Sequence, residues 1–255
     1  MATEEPPASV HHTDKPKNRN HMKILLCDTF PGLLPPYIPS YESMFIRLFD
    51  SVRPGMTYDV IPTWQDVWPD ELDPNDIYLI TGSNSDSYDL HTPWIIHLRQ
   101  WIVRAHAAGI RMAGICFGHQ ILAHALGGRA ACHPGGWGTG IRLSTILSPS
   151  LAEAVGDRQL RLMYNHHDQV LRLPPGATCL ATSPFCHYEA FTLGQRQVIA
   201  FQGHPEYIPE YARHLLLNHA DHEDPAVRRA ALDSLDRYEH QGQAVARYIL
   251  DYLGA

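Results

Sequence analysis

The chain has 255 residues, of which 44% are hydrophobic and 18% are charged. This composition is typical of a folded globular domain and excludes a chain that is disordered throughout. The formal net charge of -7 disfavours nucleic acid as a partner, because phosphate binding requires clustered lysine and arginine. No apolar run is long enough for a membrane span, and the N-terminal segment is polar, so we expect a cytoplasmic protein without membrane contact.

Cysteine and histidine usage indicates neither a disulfide framework nor a metal centre. The five cysteines are an odd number and include no CxxC pair. The 17 histidines are scattered, and the adjacent pairs His11–His12 and His166–His167 do not have the spacing of ligands to one ion. We therefore expect a reducing compartment, no bound metal and no cofactor.

The first half of the chain alternates strand and helix patterns. Residues 1–21 are rich in Pro, Glu, Lys, Asn and Thr, which predicts a flexible extension followed by one domain over residues 22–255. Compact apolar runs predict strands over 23–28, 58–62, 76–80 and 110–115. Apolar residues at helical spacing predict helices over 41–52, from 93 to a stop at 109, and over 117–126. This alternation is typical of a doubly wound α/β fold, in which helices flank a mostly parallel, flavodoxin-like central sheet.

The second half has shorter and more closely spaced strand patterns. They cover residues 140–147, 160–163, 177–181, 190–193 and 197–201. Segments of this length and spacing predict a small antiparallel extension of the sheet. The chain is then expected to end with a helix over 209–219 and one long helical stretch from about 225 to 253.

Cys116 lies where a predicted strand turns directly into a helix. The segment Gly114-Ile115-Cys116-Phe117-Gly118-His119-Gln120 matches a nucleophile elbow with cysteine in place of serine. Glycines two residues before and after permit so tight a turn, and the helix N-terminus favours a thiolate. A buried structural cysteine is the alternative, but the paired glycines favour a nucleophile.

A thiolate nucleophile requires a base and an oxyanion site. His204-Pro205-Glu206 follows an apolar strand, and Glu206 shares a side of the extended chain with His204, so it can bind the far ring nitrogen. One oxyanion donor is expected from the N–H of Phe117. The turn Thr81-Gly82-Ser83 is the candidate for the second, with a purely structural turn as the alternative.

Together these motifs resemble the class I glutamine amidotransferase family over nearly all of the chain from residue 22 onward. The resemblance is carried by residues 114–120 and by Gly-His-Pro-Glu at 203–206. Residues 166–170 and 173–177 resemble the branch related to GMP synthase. Tyr88 and Pro93-Trp94 match its stand-alone members, which include γ-glutamyl peptidases. The stand-alone branch often has Gly-Trp-Glu-Ile-Gly, whereas residues 136–140 here are Gly-Trp-Gly-Thr-Gly and lack the acidic residue.

The resemblance implies a role for each matching residue. The catalytic residues would be the nucleophile Cys116, the general base and acid His204, and the orienting carboxylate Glu206. Oxyanion and substrate contacts would come from Gly82, Ser83, Phe117, Gln120 and His166, with Asp168 either near the pocket or structural.

This set of residues is compatible with three functions. The favoured one is a stand-alone hydrolase that cleaves a small-molecule γ-glutamyl amide through a thioester on Cys116. The second is a glutaminase that delivers ammonia to a separate synthetase subunit, since no P-loop GxxxxGK[ST] is present. The third, a non-catalytic binding or regulatory protein, is disfavoured because the three catalytic residue types are all retained. The leaving group and the oligomeric state are left open.

Overall fold

The structure is a computed structural model that describes residues 20–69, 71–219 and 224–254. The strands of these ranges are β1 (His21–Leu25), β2 (Thr57–Ile61), β3 (Ile77–Ile80), β4 (Arg111–Ile115), β5 (Arg129–Cys132), β6 (Gly138–Ile146), β7 (Gln159–His166), β8 (Asp168–Arg172), β9 (Thr178–Thr182), β10 (Ala190–Leu193) and β11 (Val198–Phe201). The helices are α1 (Tyr41–Val52), α2 (Pro93–Ala107), α3 (Phe117–Ala125), α4 (Pro149–Val155), α5 (Pro209–Asn218), α6 (Pro225–Arg237) and α7 (Gly242–Leu253).

Nine strands form one sheet in the order β2-β1-β3-β4-β11-β10-β9-β6-β7. The pairs among β2, β1, β3, β4 and β11 are parallel. The remaining pairs of this sheet are antiparallel. The predicted doubly wound α/β fold with an antiparallel extension is therefore confirmed.

Helices cover both faces of the parallel strands, as the continuous apolar strand sequences require. Helices α1, α5 and α7 pack with one buried cluster, and α2 and α3 pack with the other. The parallel registers pair Ile80 with Gly114 and Ile115 with Phe201. The segments that follow β3, β4 and β11 consequently emerge side by side at the carboxyl edge of the sheet, where doubly wound folds bind ligands.

The predicted long helix over 225–253 is wrong, because α6 and α7 are separate. The chain between them is held by contacts to distant segments. Gln241 exchanges two hydrogen bonds with the backbone of Arg161, at 2.8 and 2.9 Å. The ring of His240 lies 3.2 Å from the carbonyl oxygen of Pro205. These tertiary contacts replace the hydrogen bonds that would continue the helix, and they have no local sequence signal.

Three elements were not predicted, namely α4 and the two strands β5 and β8. These strands form a separate antiparallel pair in which Cys132 lies opposite Asp168. At the other end of the chain, β1 begins at His21, one residue before the predicted domain start. The predicted flexible extension covers residues 1–21, and residues 1–19 of it lie outside the described ranges. Within the described part of the chain, no helix has the length and apolar character to cross a membrane.

Candidate active site

Cys116 lies at a strained turn between β4 and α3. Its backbone has φ +53° and ψ -104°, a left-handed conformation that is unusual for a residue with a side chain. A Cβ on Gly114 would lie 2.5 Å from the carbonyl oxygen of Gly118, and one on Gly118 would lie 2.1 Å from that of Ile80. The two glycines are therefore required by close backbone contacts, and they hold the first turn of α3 against the end of β3.

The thiol of Cys116 is buried among polar groups that come from the neighbouring strand β11. The residue is 6% exposed, and its N–H donates a hydrogen bond to the carbonyl oxygen of Phe201 at 2.9 Å. The side-chain amide of Gln202 donates to the sulfur at 3.7 Å. Our sequence reasoning missed Gln202, although its position directly before Gly-His-Pro-Glu was an available signal.

His204 and Glu206 interact as the spacing predicted. Nδ1 of His204 lies 2.7 Å from Oε1 of Glu206, and both side chains are almost fully buried. The backbone N–H of His204 donates to the carbonyl oxygen of Met163 at 2.7 Å. On one face, the imidazole stacks on the ring of Tyr207, with centroids 4.0 Å apart. Two contacts therefore hold the ring, and the backbone hydrogen bond holds the segment that carries it.

The charges around His204 favour its protonated form. Burial alone would lower the pKa of His204, but the Glu206 carboxylate and the nearby Cys116 outweigh it and raise this pKa to about 10. Nε2 of His204 is buried without a hydrogen-bond partner among the described residues. This nitrogen is consequently available to a reacting group beside Cys116.

Tyr41 links the carboxylate to the turn after β3, and it was not anticipated as a site residue. Its hydroxyl donates to Oε1 of Glu206 at 3.1 Å and accepts the N–H of Gly82 at 3.2 Å. Burial and the adjacent Glu206 raise the pKa of Tyr41 well above its ordinary value, so the hydroxyl keeps its proton. In the sequence, Tyr41 is only the first residue of an amphipathic helix, and nothing local marks its hydroxyl.

The three predicted oxyanion residues lie in different local settings. Phe117 is the first residue of α3, so its N–H belongs to the helix-terminal amides that have no partner within the helix. The N–H of Gly82 is bound to Tyr41, and a Cβ at Gly82 would lie 3.3 Å from Cε1 of His204. The half-buried Ser83 uses its hydroxyl locally, where it accepts the N–H of Ser85 at 3.1 Å.

Gln120 and His166 are both anchored on the backbone of Asp168. The side-chain amide of Gln120 donates to the Asp168 carbonyl oxygen at 2.8 Å and to Oε1 of Gln202 at 3.2 Å. Nδ1 of His166 lies 3.0 Å from the same carbonyl oxygen, and burial lowers the pKa of His166 to about 3. His166 is therefore neutral at physiological pH. Gln120 connects β8 to Gln202, which in turn contacts Cys116.

A cavity of about 90 Å³ reaches Tyr207, whose ring stacks on the imidazole of His204. Most of its walls are apolar or aromatic, and they include Leu33, Trp137, Tyr164, Leu215 and Leu216. Asn84, Asn165 and His219 supply the polar part of the lining.

Comparisons with known proteins agree on one family. The family model "Glutamine amidotransferase class-I" matches residues 41–221. A Saccharomyces cerevisiae protein called "Putative glutamine amidotransferase" is 33% identical over 217 residues, covering 80% of this chain and 83% of that protein. Gamma-glutamyl peptidase 3 of Arabidopsis thaliana is 33% identical over 178 residues, covering 67% of this chain and 70% of that protein.

A solved structure supports the same fold. The crystal structure of a glutamine amidotransferase from Thermotoga maritima aligns with a TM-score of 0.71 at 18% identity, covering 92% of this chain and 98% of that one. At this identity the match shows the fold alone. Because the family model covers more than half of the sequence, the chain belongs to the class I glutamine amidotransferase family.

Proposed function

We propose that the protein hydrolyses a γ-glutamyl amide bond through a thioester on Cys116. The observation that carries this proposal is a strained cysteine elbow beside a buried His204–Glu206 pair, in which Nδ1 of His204 lies 2.7 Å from Oε1 of Glu206. A structural cysteine requires neither the strained backbone nor the nearby imidazole with an unpartnered nitrogen. Membership of the family and the similarity to a protein named γ-glutamyl peptidase support the same chemistry.

The reaction follows from the positions of these groups. The Cys116 thiolate attacks the γ-carbonyl carbon, and the protonated His204 then gives its proton to the departing nitrogen as the C–N bond breaks. Glu206 holds the ring in the orientation that presents Nε2 to the reacting atoms and stabilises its positive charge. Water, deprotonated by His204, hydrolyses the thioester and releases the γ-carboxylate and the free thiol.

We assign the N–H groups of Phe117 and Gly82 as the hydrogen-bond donors to the oxyanion of each tetrahedral intermediate. The Phe117 amide is unused by its helix. The Gly82 amide must exchange its hydrogen bond with Tyr41 for one to the oxyanion, so Tyr41 competes with the developing charge. We assign Gln120 and His166 to the γ-glutamyl side of the substrate, and Ser83 to the turn that carries Gly82.

We assign the small apolar cavity beside Tyr207 to the leaving group, which would then be larger than ammonia. Its volume of about 90 Å³ exceeds what ammonia fills, and its walls are mostly aromatic and aliphatic. A γ-glutamyl peptide or amine fits this environment better than free glutamine. A glutaminase that supplies ammonia to a separate synthetase subunit would pass through the same thioester, so the leaving group distinguishes the two functions.

The test is a turnover assay of purified protein with glutamine, glutathione and a series of γ-glutamyl amines of increasing apolar size. Glutamate release is measured, with Cys116→Ala as the blank. We expect the highest kcat/KM for an apolar γ-glutamyl amine or peptide. Turnover restricted to glutamine would instead support the ammonia-supplying function. Absence of turnover together with failure of a glutamine-directed electrophile to label Cys116 would contradict both.

A further inference from the structure

A second cluster of reactive side chains lies outside the triad, on the separate two-stranded sheet. It consists of Cys132 on β5, Asp168 on β8, and His167, which directly precedes β8. One ligand atom from each of the three lies within 4.8 Å of the others. The sulfur of Cys132 is 3.5 Å from Nε2 of His167, whose Nδ1 is 3.5 Å from Oδ1 of Asp168.

We propose that Cys132, His167 and Asp168 form a binding site for a divalent cation of the zinc class. Zinc bonds to sulfur at about 2.3 Å and to imidazole nitrogen at about 2.0–2.1 Å, so a tetrahedral angle separates the two ligand atoms by about 3.5 Å. The observed separation of the Cys132 sulfur and the His167 nitrogen is 3.5 Å. An Asp168 oxygen at up to 4.8 Å has to move by about 1 Å to complete a third bond.

The pairing of the two strands builds this arrangement. Cys132 and Asp168 are register partners of the antiparallel pair, so their side chains project from the same face at short separation. The N–H of His133 donates to the carbonyl oxygen of His167 at 3.2 Å and fixes the chain between them. The ring of Trp137 packs against that of His167, with centroids 5.5 Å apart. The ligand geometry is therefore largely formed before metal binds.

The charged and polar groups around this cluster favour a cation. Asp86 lies against the carboxylate of Asp168, and the hydroxyl of Tyr88 donates to that carboxylate at 3.4 Å. Two adjacent carboxylates repel each other, and a divalent ion between them removes this repulsion. A thiolate, an imidazole and carboxylates suit zinc or cobalt rather than magnesium or calcium, which prefer oxygen ligands alone. Binding displaces the thiol proton of Cys132 to solvent.

This site would be coupled to the proposed substrate pocket through Asp168. The carbonyl oxygen of Asp168 accepts the side-chain amide of Gln120 at 2.8 Å and lies 3.0 Å from the ring of His166. A metal on the Asp168 side chain restrains the same backbone segment. This consequence rests on the proposed function, whereas metal binding itself does not. We expect metal loading to change KM more than kcat, because Gln120 and His166 are assigned to substrate binding.

Cobalt titration of Cys116→Ala protein tests the site without using activity. Removing Cys116 eliminates the thiol that interacts with His204, and thiolate-to-cobalt charge transfer reports on cysteine ligation alone. We expect this absorption to saturate at one cobalt per chain. It should disappear in Cys116→Ala/Cys132→Ser, and it should persist in the matched control Cys116→Ala/Cys179→Ser. His167→Gln in the same background should weaken binding by about 100-fold or more, since even indirect partners of metal ligands contribute 10- to 100-fold.

Two results would overturn the metal site: no charge-transfer absorption in Cys116→Ala protein, or absorption that survives Cys132→Ser. The coupling is tested separately by measuring KM with and without Zn²⁺ for the wild type, Cys132→Ser and Cys179→Ser. A zinc-dependent KM in the wild type and Cys179→Ser, but not in Cys132→Ser, supports the coupling. A KM that responds equally in all three proteins contradicts it and leaves the cobalt result unaffected.

Discussion

Replacing Tyr41 with phenylalanine removes one hydroxyl that contacts both the orienting carboxylate and the predicted oxyanion turn. The hydroxyl donates to Glu206 at 3.1 Å and accepts the Gly82 N–H at 3.2 Å, and the residue is 1% exposed. Phenylalanine keeps the ring and its edge-to-face contact with Phe30, whose centroid lies 4.6 Å away. The substitution therefore isolates the two hydrogen bonds.

The two lost bonds act on catalysis with opposite sign. A hydrogen bond to a charged group contributes about 1.5–3 kcal/mol, and loss of the one to Glu206 loosens the orientation of His204. A neutral hydrogen bond contributes about 0.5–1.5 kcal/mol, and loss of this competitor makes the Gly82 N–H available to the oxyanion. The first effect is larger, so the net loss is about 1–2 kcal/mol, or about 5- to 30-fold in kcat. The free energy of unfolding should fall by about 2–4 kcal/mol, which is the sum of the two lost hydrogen bonds, since the buried N–H of Gly82 also loses its partner.

Tyr78→Phe is the matched control for this measurement. Tyr78 is fully buried, and its hydroxyl also makes two hydrogen bonds, with the N–H of Asp73 and the carbonyl oxygen of Glu71, away from the triad. Urea unfolding should show a loss of stability in both variants, whereas kcat should fall only in Tyr41→Phe. Equal kcat values in the two variants, or a kcat for Tyr41→Phe above that of the wild type, would show that the hydrogen bond to Glu206 does not outweigh the one to Gly82.

Three further substitutions test the elbow and the buried histidines. Gly118→Ala places a methyl group 2.1 Å from the Ile80 carbonyl oxygen and should lower the free energy of unfolding by about 3 kcal/mol or more, measured in urea. Burial lowers the pKa of His119 to about 3. The stability that the neutral His119 ring contributes is therefore lost as the pH falls below about 6.5. His119→Gln should reduce the pH dependence of the free energy of unfolding between pH 6 and 4 by about 1.4 kcal/mol per pH unit. Glu206→Gln removes the charge that raises the pKa of His204 to about 10, so NMR of the ring nitrogens should show titration at lower pH. The stability that this raised pKa contributes, present below pH 6.5 and lost toward pH 10, should also decrease.

The parts of the site that sequence predicted are those with local physical causes. The elbow at Cys116 was visible because the strand, the two flanking glycines and the following helix lie within a few residues of each other. The 2.7 Å contact between His204 and Glu206 followed from their spacing along an extended chain. Helix α1 has the predicted bounds because its apolar residues keep helical spacing throughout. Membership of the family was likewise carried by contiguous motifs.

What sequence did not predict depends on contacts between distant segments. Tyr41 and Glu206 are 165 residues apart, and no local pattern marks their hydrogen bond. The pairing of Cys132 with Asp168 joins two strands that are poor in branched and aromatic residues, which is why the proposed metal ligands were not anticipated. The break between α6 and α7 arises where Gln241 binds Arg161, although the sequence there remains compatible with a helix. Helix α4 is different, because the cap at Ser148 and the glycine at 156 were readable signals that we missed.

The assignment of Cys116 as the nucleophile is tested most directly by the turnover of Cys116→Ala with the best substrate of the γ-glutamyl series. Cys179→Ser serves as the control, because Cys179 is a half-buried thiol that hydrogen-bonds to the backbone away from the triad. We predict that Cys116→Ala retains the Tm of a folded domain and loses turnover by about 10³-fold or more, while Cys179→Ser keeps the wild-type rate. Wild-type turnover by folded Cys116→Ala would contradict the proposed mechanism.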